Sequence, residues 1–269
     1  EGSKTAKGRA IQNLINIAPD DKVKAFICTQ DLKDEEYINS QYVIMATKNG
    51  QVKKTPLEQY SRPRTNGINA ITIKDNDELL EAKLTTGDSQ VMLALGSGKA
   101  IRFEEGKTRP MGRNASGVRG ITLAHKDDEV IGMIAVNDEN SDILVVSENG
   151  YGKRSTLEDY RITNRGGKGV KTINVTEKTG NLVAIKEVMD ADDLMIINKS
   201  GIAIRMAVAD LRVMGRATQG VRLIKVREGD SIAAVAKVMQ DDDEIEELDT
   251  DLENGTTLDN DESQTEIQE

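Results

Sequence analysis

A repeat of about fifty residues is the feature of this sequence that most constrains its fold. Short runs of branched apolar residues end at four glycines spaced 48, 52 and 51 residues apart: Gly50, Gly98, Gly150 and Gly201. Such runs predict buried strands that enter hairpin turns, because glycine adopts a positive φ at little steric cost. A repeat of this length predicts units that stack on their neighbours.

A second glycine follows each hairpin glycine after 17 or 19 residues, at Gly67, Gly117, Gly169 and Gly220. An apolar position follows four residues later, and an acidic turn comes next in three copies. We therefore predict that each unit contains, in order, a strand, a tight turn, a second strand, a glycine-rich loop, a third strand, an acidic turn and a fourth strand. Four strands per unit are typical of a propeller blade, whereas so many glycines disfavour a helical solenoid. We predict an all-β fold of four-stranded blades.

The two ends of the chain depart from the repeat. A weaker copy opens the chain, with Lys4 and Gly8 four residues apart and Ile11 displaced by one place. Residues 240–269 hold 14 acidic residues and neither lysine nor arginine. We predict one domain over residues 1–239, made of four full repeats and an N-terminal remnant, and a disordered acidic tail over 240–269.

The net charge of −10 hides an asymmetry. Residues 1–239 carry 36 basic and 32 acidic side chains, a formal charge of about +4, whereas the tail carries −14. Charge alone leaves two interpretations equally open: a mildly basic domain with a solubilising tail, or a chain whose two ends prefer different partners.

Catalytic and metal-binding constellations are scarce. Cys28 is the only cysteine and His125 the only histidine, so the sequence predicts no disulfide, no histidine-based triad and no Cys/His metal site. We expect His125 to be a surface loop residue. We also expect no cofactor in this domain, no membrane segment, no signal peptide and a cytoplasmic setting.

Basic residues recur at fixed places in the repeat. A first set follows the hairpin glycines, at Lys53, Lys54, Arg102, Lys153, Arg154 and Arg205. A second set lies around the second glycines, at Arg62, Arg64, Arg113, Arg119, Arg165, Lys168, Lys171, Arg216 and Arg222. If the units form a ring, each set predicts a row of positive charge on its outside.

Duplex DNA is the partner that such rows favour, since its phosphates are negative and regularly spaced. Tryptophan is absent and phenylalanine occurs twice, which argues against stacking platforms for single strands. The alternative is that these bases pair with the neighbouring aspartate and glutamate residues of each blade.

Several segments in order resemble the C-terminal domain of the bacterial DNA gyrase A protein. They are Lys53-Lys54-Thr55-Pro56-Leu57, Met111-Gly112-Arg113 leading to Gly117-Val118-Arg119-Gly120-Ile121, Asn149-Gly150-Tyr151-Gly152-Lys153-Arg154, and Gly215-Arg216-Ala217-Thr218-Gln219-Gly220-Val221. The resemblance implies a β-pinwheel, a ring whose blades exchange strands. It also implies a non-catalytic domain that wraps duplex DNA on its basic perimeter, with an acidic tail that modulates wrapping.

For the holoenzyme, the resemblance implies an A2B2 assembly of gyrase A and gyrase B proteins on the bacterial chromosome. That assembly uses ATP and Mg²⁺ to introduce negative supercoils, and its catalytic tyrosine lies in a separate, upstream domain.

The family pattern is matched incompletely. The gyrase domain has six blades, and its signature Gln-Arg-Arg-Gly-Gly-Lys-Gly belongs to the first; here Thr163–Gly169 matches five of those seven positions inside a later repeat. We expect the true signature to lie upstream of Glu1. Two alternatives therefore stay open: the related domain of topoisomerase IV, which lacks the signature, and a protein-binding propeller.

Overall fold

Four antiparallel blades form the structure, a computed structural model that describes residues 21–64, 66–136 and 138–239. The weak N-terminal repeat copy and the acidic tail lie outside the described residues. One short helix, α1 (Glu35–Ser40), precedes the strands and is capped by the Asp34 carboxylate, which accepts hydrogen bonds from the Glu36 and Tyr37 amides. Leu57–Tyr60, Glu105–Lys107 and Leu157–Asp159 form single 3-10 turns.

Each blade is built around the hairpin that the repeat predicts. The strands of the first two repeats are β1 (Tyr42–Thr47), β2 (Gln51–Pro56), β3 (Leu79–Thr85), β4 (Gln90–Leu95), β5 (Lys99–Glu104), β6 (Val118–Arg119) and β7 (Val130–Val136). Those of the last two are β8 (Asp142–Ser147), β9 (Tyr151–Thr156), β10 (Val170–Lys171), β11 (Leu182–Val188), β12 (Asp192–Asn198), β13 (Ala203–Ala207), β14 (Val221–Arg222) and β15 (Ile232–Met239).

Neighbouring repeats exchange strands. The sheet orders are β3-β1-β2-β6, β7-β4-β5-β10, β11-β8-β9-β14 and, within the described residues, β15-β12-β13. The outer strand of each four-stranded blade is thus a two-residue segment supplied by the following repeat. The all-β pinwheel prediction is confirmed, and the four strands of one repeat divide between two blades.

The hydrophobic core lies between blades. One cluster joins Ile44 and Val52 of the first blade to Leu93 and Phe103 of the second. Equivalent clusters join the second blade to the third and the third to the fourth. The inner strands β3, β7, β11 and β15, together with residues 24–28, line a central pocket of about 800 Å³.

Close backbone approach requires glycine at the end of three of the four loops. Gly169 has φ +70°, and a Cβ atom there would lie 2.6 Å from the Ala100 carbonyl oxygen of the preceding blade. Gly117 and Gly220 have the same conformation, with corresponding distances of 2.5 Å from the carbonyl oxygens of Val52 and Gly152. Gly67 shares the positive φ, but nothing lies within 4 Å of its Cβ position.

Five bases that were expected on the outside of the ring are instead buried, so that part of the prediction is wrong. Their exposed fractions are 0 to 8%; they are Lys53, Lys54, Arg102, Lys153 and Arg154. All five lie on the second strand of a hairpin, whose two faces are covered by neighbouring elements. An outward location would require one solvated face, and these strands have none.

Backbone carbonyl groups hold three of the buried bases. Lys53 donates from Nζ to the Ala70 carbonyl oxygen at 2.5 Å and also to that of Arg113. Lys153 donates to the Gly215 carbonyl oxygen at 2.5 Å. Arg102 donates to the Leu157 and Tyr160 carbonyl oxygens at 2.8 and 3.1 Å, and to Gln90 Oε1 at 2.7 Å.

The other two buried bases form ion pairs. Lys54 Nζ lies 3.1 Å from Oε1 of the fully buried Glu105. Arg154 pairs with Asp190 and lies 3.7 Å from Asp142. For these two bases, therefore, the structure agrees with the alternative to DNA contact, which is pairing with neighbouring carboxylates.

Replacement of the loop glycine by alanine tests the close approach between repeats. We expect Gly169→Ala to lower the free energy of unfolding by about 3 kcal/mol or more, because it adds a collision with Ala100 to the cost of a left-handed residue. The matched control, Gly67→Ala, carries only the conformational cost, about 1–2 kcal/mol. Urea unfolding measures both, and equal losses would contradict the proposed close approach.

Replacement of Lys153 by methionine tests the cost of its burial. Desolvation lowers the pKa of Lys153 to about 8, whereas an unfolded lysine titrates near 10.4. The folded state therefore releases this proton first, and wild-type stability rises as pH increases from about 8 to 10.4. We expect wild type to gain about 1–3 kcal/mol over Lys153→Met across that range.

The control for this pH series is Lys199→Met, which removes an exposed lysine. Its difference from wild type, measured by the same unfolding titrations, should change little with pH. A Lys153→Met difference that stays equally flat would contradict the burial effect.

Candidate nucleic-acid interface

In the second, third and fourth repeats, the glycine-rich loop runs back along the preceding blade. Its first half lies parallel to the second strand of that blade and is fixed there by one backbone hydrogen bond. The three equivalent bonds run from Met111 N to Lys54 O (2.7 Å), from Thr163 N to Arg102 O (2.8 Å) and from Met214 N to Arg154 O (2.8 Å). The loops are therefore rigidly placed parts of the sheet edge.

The second half of each loop ends at the hairpin of the preceding blade. After the second glycine, a backbone amide donates to the carbonyl oxygen of the hairpin glycine. These bonds run from Gly120 to Gly50 (2.8 Å), from Thr172 to Gly98 (2.9 Å) and from Leu223 to Gly150 (2.9 Å). The hairpin glycine of one unit is thus hydrogen-bonded to the segment that follows the second glycine of the next unit.

An arginine also joins each loop to the loop before it. Arg113, Arg165 and Arg216 each precede the second glycine by four residues. Each donates from Nη1 to a backbone carbonyl oxygen of the preceding loop: Asn69 at 3.3 Å, Arg119 at 3.1 Å and Lys171 at 2.8 Å, respectively. These side chains are half-buried and hold successive loops at a fixed separation.

The other predicted bases project from this series of linked loops or from the fourth blade. Those that are exposed are Arg62, Arg64, Arg119, Lys168, Lys171, Arg205 and Arg222. Arg205, on β13, differs from the others because it forms an ion pair, in which its Nε lies 2.5 Å from Asp193 Oδ2. With the three loop-linking arginines and without Arg205, nine predicted bases form the surface called here the basic rim.

Positive charge on the basic rim is not neutralised by nearby acids. In residues 21–64, 66–136 and 138–239, no carboxylate oxygen lies within 4.0 Å of a nitrogen of these nine side chains. Phosphate oxygens are therefore free to take the place that carboxylates occupy around the buried bases.

Three further rim bases were missed at the level of sequence. Arg109, Arg161 and Arg212 are exposed and lie four residues before the loop-linking arginines. All three come eleven residues after a hairpin glycine, so the same alignment of repeats contains the signal. Arg161 and Lys168 both line a surface groove of about 280 Å³ between β5 and its neighbouring loop.

The described residues provide little evidence for a metal site or a membrane-spanning helix. His125 is exposed in a loop, as predicted. In the described part of the chain, no three His, Cys, Asp or Glu side chains are grouped to hold a metal ion. No helix there has the length and apolar character needed to cross a membrane.

Comparison with known proteins agrees with this architecture. The family described as DNA gyrase C-terminal domain, beta-propeller, matches residues 41–86, 96–137, 141–188 and 192–239. The DNA gyrase A protein of Staphylococcus epidermidis is 43% identical over 244 residues, which cover 90% of this chain and 27% of that protein. Its Staphylococcus aureus counterpart is 42% identical over 248 residues, or 92% and 27%. The chain thus spans about 27% of the length of the curated relatives it matches.

Two solved structures share the fold. The C-terminal domain of DNA topoisomerase IV gives a TM-score of 0.80 at 24% identity, covering 93% of this chain and 76% of its own. The DNA gyrase A C-terminal domain gives 0.76 at 24% identity, covering 87% and 76%. Four blades at the matched positions and relatives above 40% identity lead to one assignment: this chain belongs to the DNA gyrase C-terminal domain, beta-propeller, family.

Proposed function

We propose that this chain binds duplex DNA along its basic rim and wraps it around the outside of the blades. The observation that carries the proposal is that nine accessible bases lie on the loops and short outer strands that join blade to blade, with no carboxylate partner among the described residues. A row of this kind suits the phosphate backbone, whose contacts position a protein without reading sequence.

Rigid loops favour wrapping over simple attachment. Bending a site of 20–30 base pairs by 40–90° costs on the order of 1–6 kcal/mol, which phosphate contacts must offset. Because the rim loops are held by backbone bonds to the preceding blade, little of that gain is lost in ordering them. The curved series of blades then supplies successive contacts to one continuous duplex.

Duplex DNA is favoured over single strands because the described part of the rim has no exposed aromatic side chain on which a base could stack. Phe103, Tyr151 and Tyr160 are buried, and the exposed Phe26 lies at the central pocket. No aromatic side chain is exposed in the described part of the rim loops. Stacking of unpaired bases would require such side chains.

In the whole protein, we propose that this is the wrapping domain of a DNA gyrase A protein. Relatives above 40% identity carry the gyrase A name, which favours gyrase over topoisomerase IV. The domain would then support negative supercoiling by a cytoplasmic A2B2 holoenzyme. The catalytic tyrosine and the sites for ATP and Mg²⁺ would belong to other domains, and this one would need no cofactor.

Neutralisation of three rim bases tests the DNA interface. We expect the triple variant Arg119→Gln, Lys168→Gln, Lys171→Gln to bind a duplex of random sequence at least tenfold more weakly. The slope of log affinity against log salt should fall by roughly 0.9 for each phosphate that the variant no longer neutralises. Anisotropy titrations over a salt series measure both quantities.

A matched control removes the same charge elsewhere. Lys33→Gln, Lys83→Gln, Lys186→Gln combines one lysine before α1 with two that line the central pocket. Ligation of nicked circles with each protein bound reports wrapping as a shift in linking number. Equal loss of affinity in both variants, or wild-type binding that ignores salt, would contradict the proposed interface.

Removal of residues 241–269 tests whether the acidic tail competes with DNA. We expect the truncated chain to bind duplex more tightly, because the carboxylates of the tail no longer compete for the basic rim. The same salt titration measures the change. Unchanged affinity would instead assign the tail a solubilising role.

A further inference from the structure

A basic pocket with a tyrosine at its centre lies at the edge of the third blade. It measures about 460 Å³ and opens where β14, from the fourth repeat, meets β9. Four cationic side chains line it, from two different repeats: Lys178, Arg222, Lys225 and Arg227. In the described residues none of the four has a carboxylate oxygen within 4.0 Å of a side-chain nitrogen.

Tyr151 is held between two of these cations. The register of β14 and β9 places Arg222 directly opposite Tyr151. Arg222 donates from Nη2 and Nε to the Tyr151 hydroxyl oxygen at 2.9 and 3.3 Å. Lys178 Nζ lies 5.3 Å from the centroid of the ring. Both arginine bonds occupy lone pairs of the phenol oxygen, so its own proton is left to donate.

The electrostatic environment strengthens that donor. Hydrogen bonds from Arg222, together with the charges of Arg222 and Lys178, lower the pKa of Tyr151. Two carboxylates also line the pocket, but Asp230 accepts hydrogen bonds from Asn198 and Ser200 at 2.7 and 2.8 Å. With four cations and two acids around it, the pocket has a formal charge of about +2, suited to an anion.

Equivalent positions in the other blades are built differently. In the first blade the base of the outer strand is Arg119, and it faces Gln51. In the second blade the base is Lys171, and it faces Lys99. Lys126 stands in the second repeat where Lys178 stands in the third, 28 residues after its hairpin glycine. Among the three exchanged strands described, only Arg222 therefore faces an aromatic hydroxyl.

We propose that Tyr151, Arg222 and Lys178 form a phosphate-binding pocket that holds one phosphodiester group of the wrapped duplex. The proposal rests on the proposed DNA-binding function and adds a directional contact to it. The phenol O–H donates to one phosphate oxygen, and Nη1 of Arg222 and the Lys178 ammonium group approach the others. A phosphate bound by hydrogen bonds as well as charge would fix the position of the duplex at this blade.

Two substitutions separate the hydrogen bond from the charge. Tyr151→Phe keeps the ring and its packing but removes the donor, so we expect three- to tenfold weaker duplex binding with an unchanged salt slope. Lys178→Met removes a charge, so we expect weaker binding and a slope reduced by roughly 0.9. Anisotropy titrations of the whole chain with a short duplex measure both, and circular dichroism checks that the variants are folded.

The matched control is Lys126→Met, at the same repeat position but beside no tyrosine. It should weaken binding less than twofold. Equal effects of Lys126→Met and Lys178→Met, or no effect of Tyr151→Phe, would overturn the pocket. If Arg119→Gln, Lys168→Gln, Lys171→Gln still weakens binding in that case, the DNA-binding function stands without it; if wild type binds no duplex, that function itself fails.

Inorganic phosphate distinguishes the source of the bound group. Titration with phosphate in the absence of DNA, followed by NMR of the Arg222 side chain, should show only weak binding, because a single anion lacks the other rim contacts of a duplex. Phosphate binding that Tyr151→Phe abolishes, with duplex affinity unchanged, would assign the pocket to a free anion and overturn the DNA assignment.

Discussion

Backbone hydrogen bonds between each loop and the hairpin of the preceding blade are the interaction on which this structure depends. They bring the segment after the second glycine of one repeat against the hairpin glycine of the unit before it, where a Cβ atom on Gly50, Gly98 or Gly150 would lie within 2.8 Å of a carbonyl oxygen of that segment. Each bond contributes only about 0.5–1.5 kcal/mol net, but together they set the spacing of the blades. The interblade cores and the position of every rim base follow from that spacing.

The basic residues have two roles, which depend on how deeply each side chain lies within its blade. Those on hairpin strands, such as Arg102 and Lys153, are enclosed by neighbouring elements and bind carbonyl groups of the next repeat. Those on the loops and short outer strands, such as Lys168 and Arg119, are exposed, and no carboxylate among the described residues pairs with them. The buried set orders the loops that carry the exposed set. Mutation of buried bases would therefore report on folding before it reported on DNA.

A rim assembled in this way is suited to a partner that must be bent. Arg165 and Arg216 each use one guanidinium N–H to bind the preceding loop, so the loops form a connected series. A connected series presents its charges at fixed intervals and loses little freedom when a duplex binds. The pocket at Tyr151 adds one directional contact to this row, at a single blade.

The sequence by itself determined the all-β class, the period of the repeat and the loop positions of the rim, because glycine spacing and apolar runs are local properties that every repeat restates. It also contained Arg109, Arg161 and Arg212, at a constant eleven residues after a hairpin glycine. Only the tertiary structure decided that Lys54, Arg102 and Arg154 are buried, and that each two-residue outer strand belongs to the preceding blade. The physical reason is that both faces of a blade are covered by other units. The alternation of apolar and polar residues along a strand therefore does not indicate which side chains reach solvent. Which strand pairs with the edge of a blade is set by packing between residues far apart in sequence.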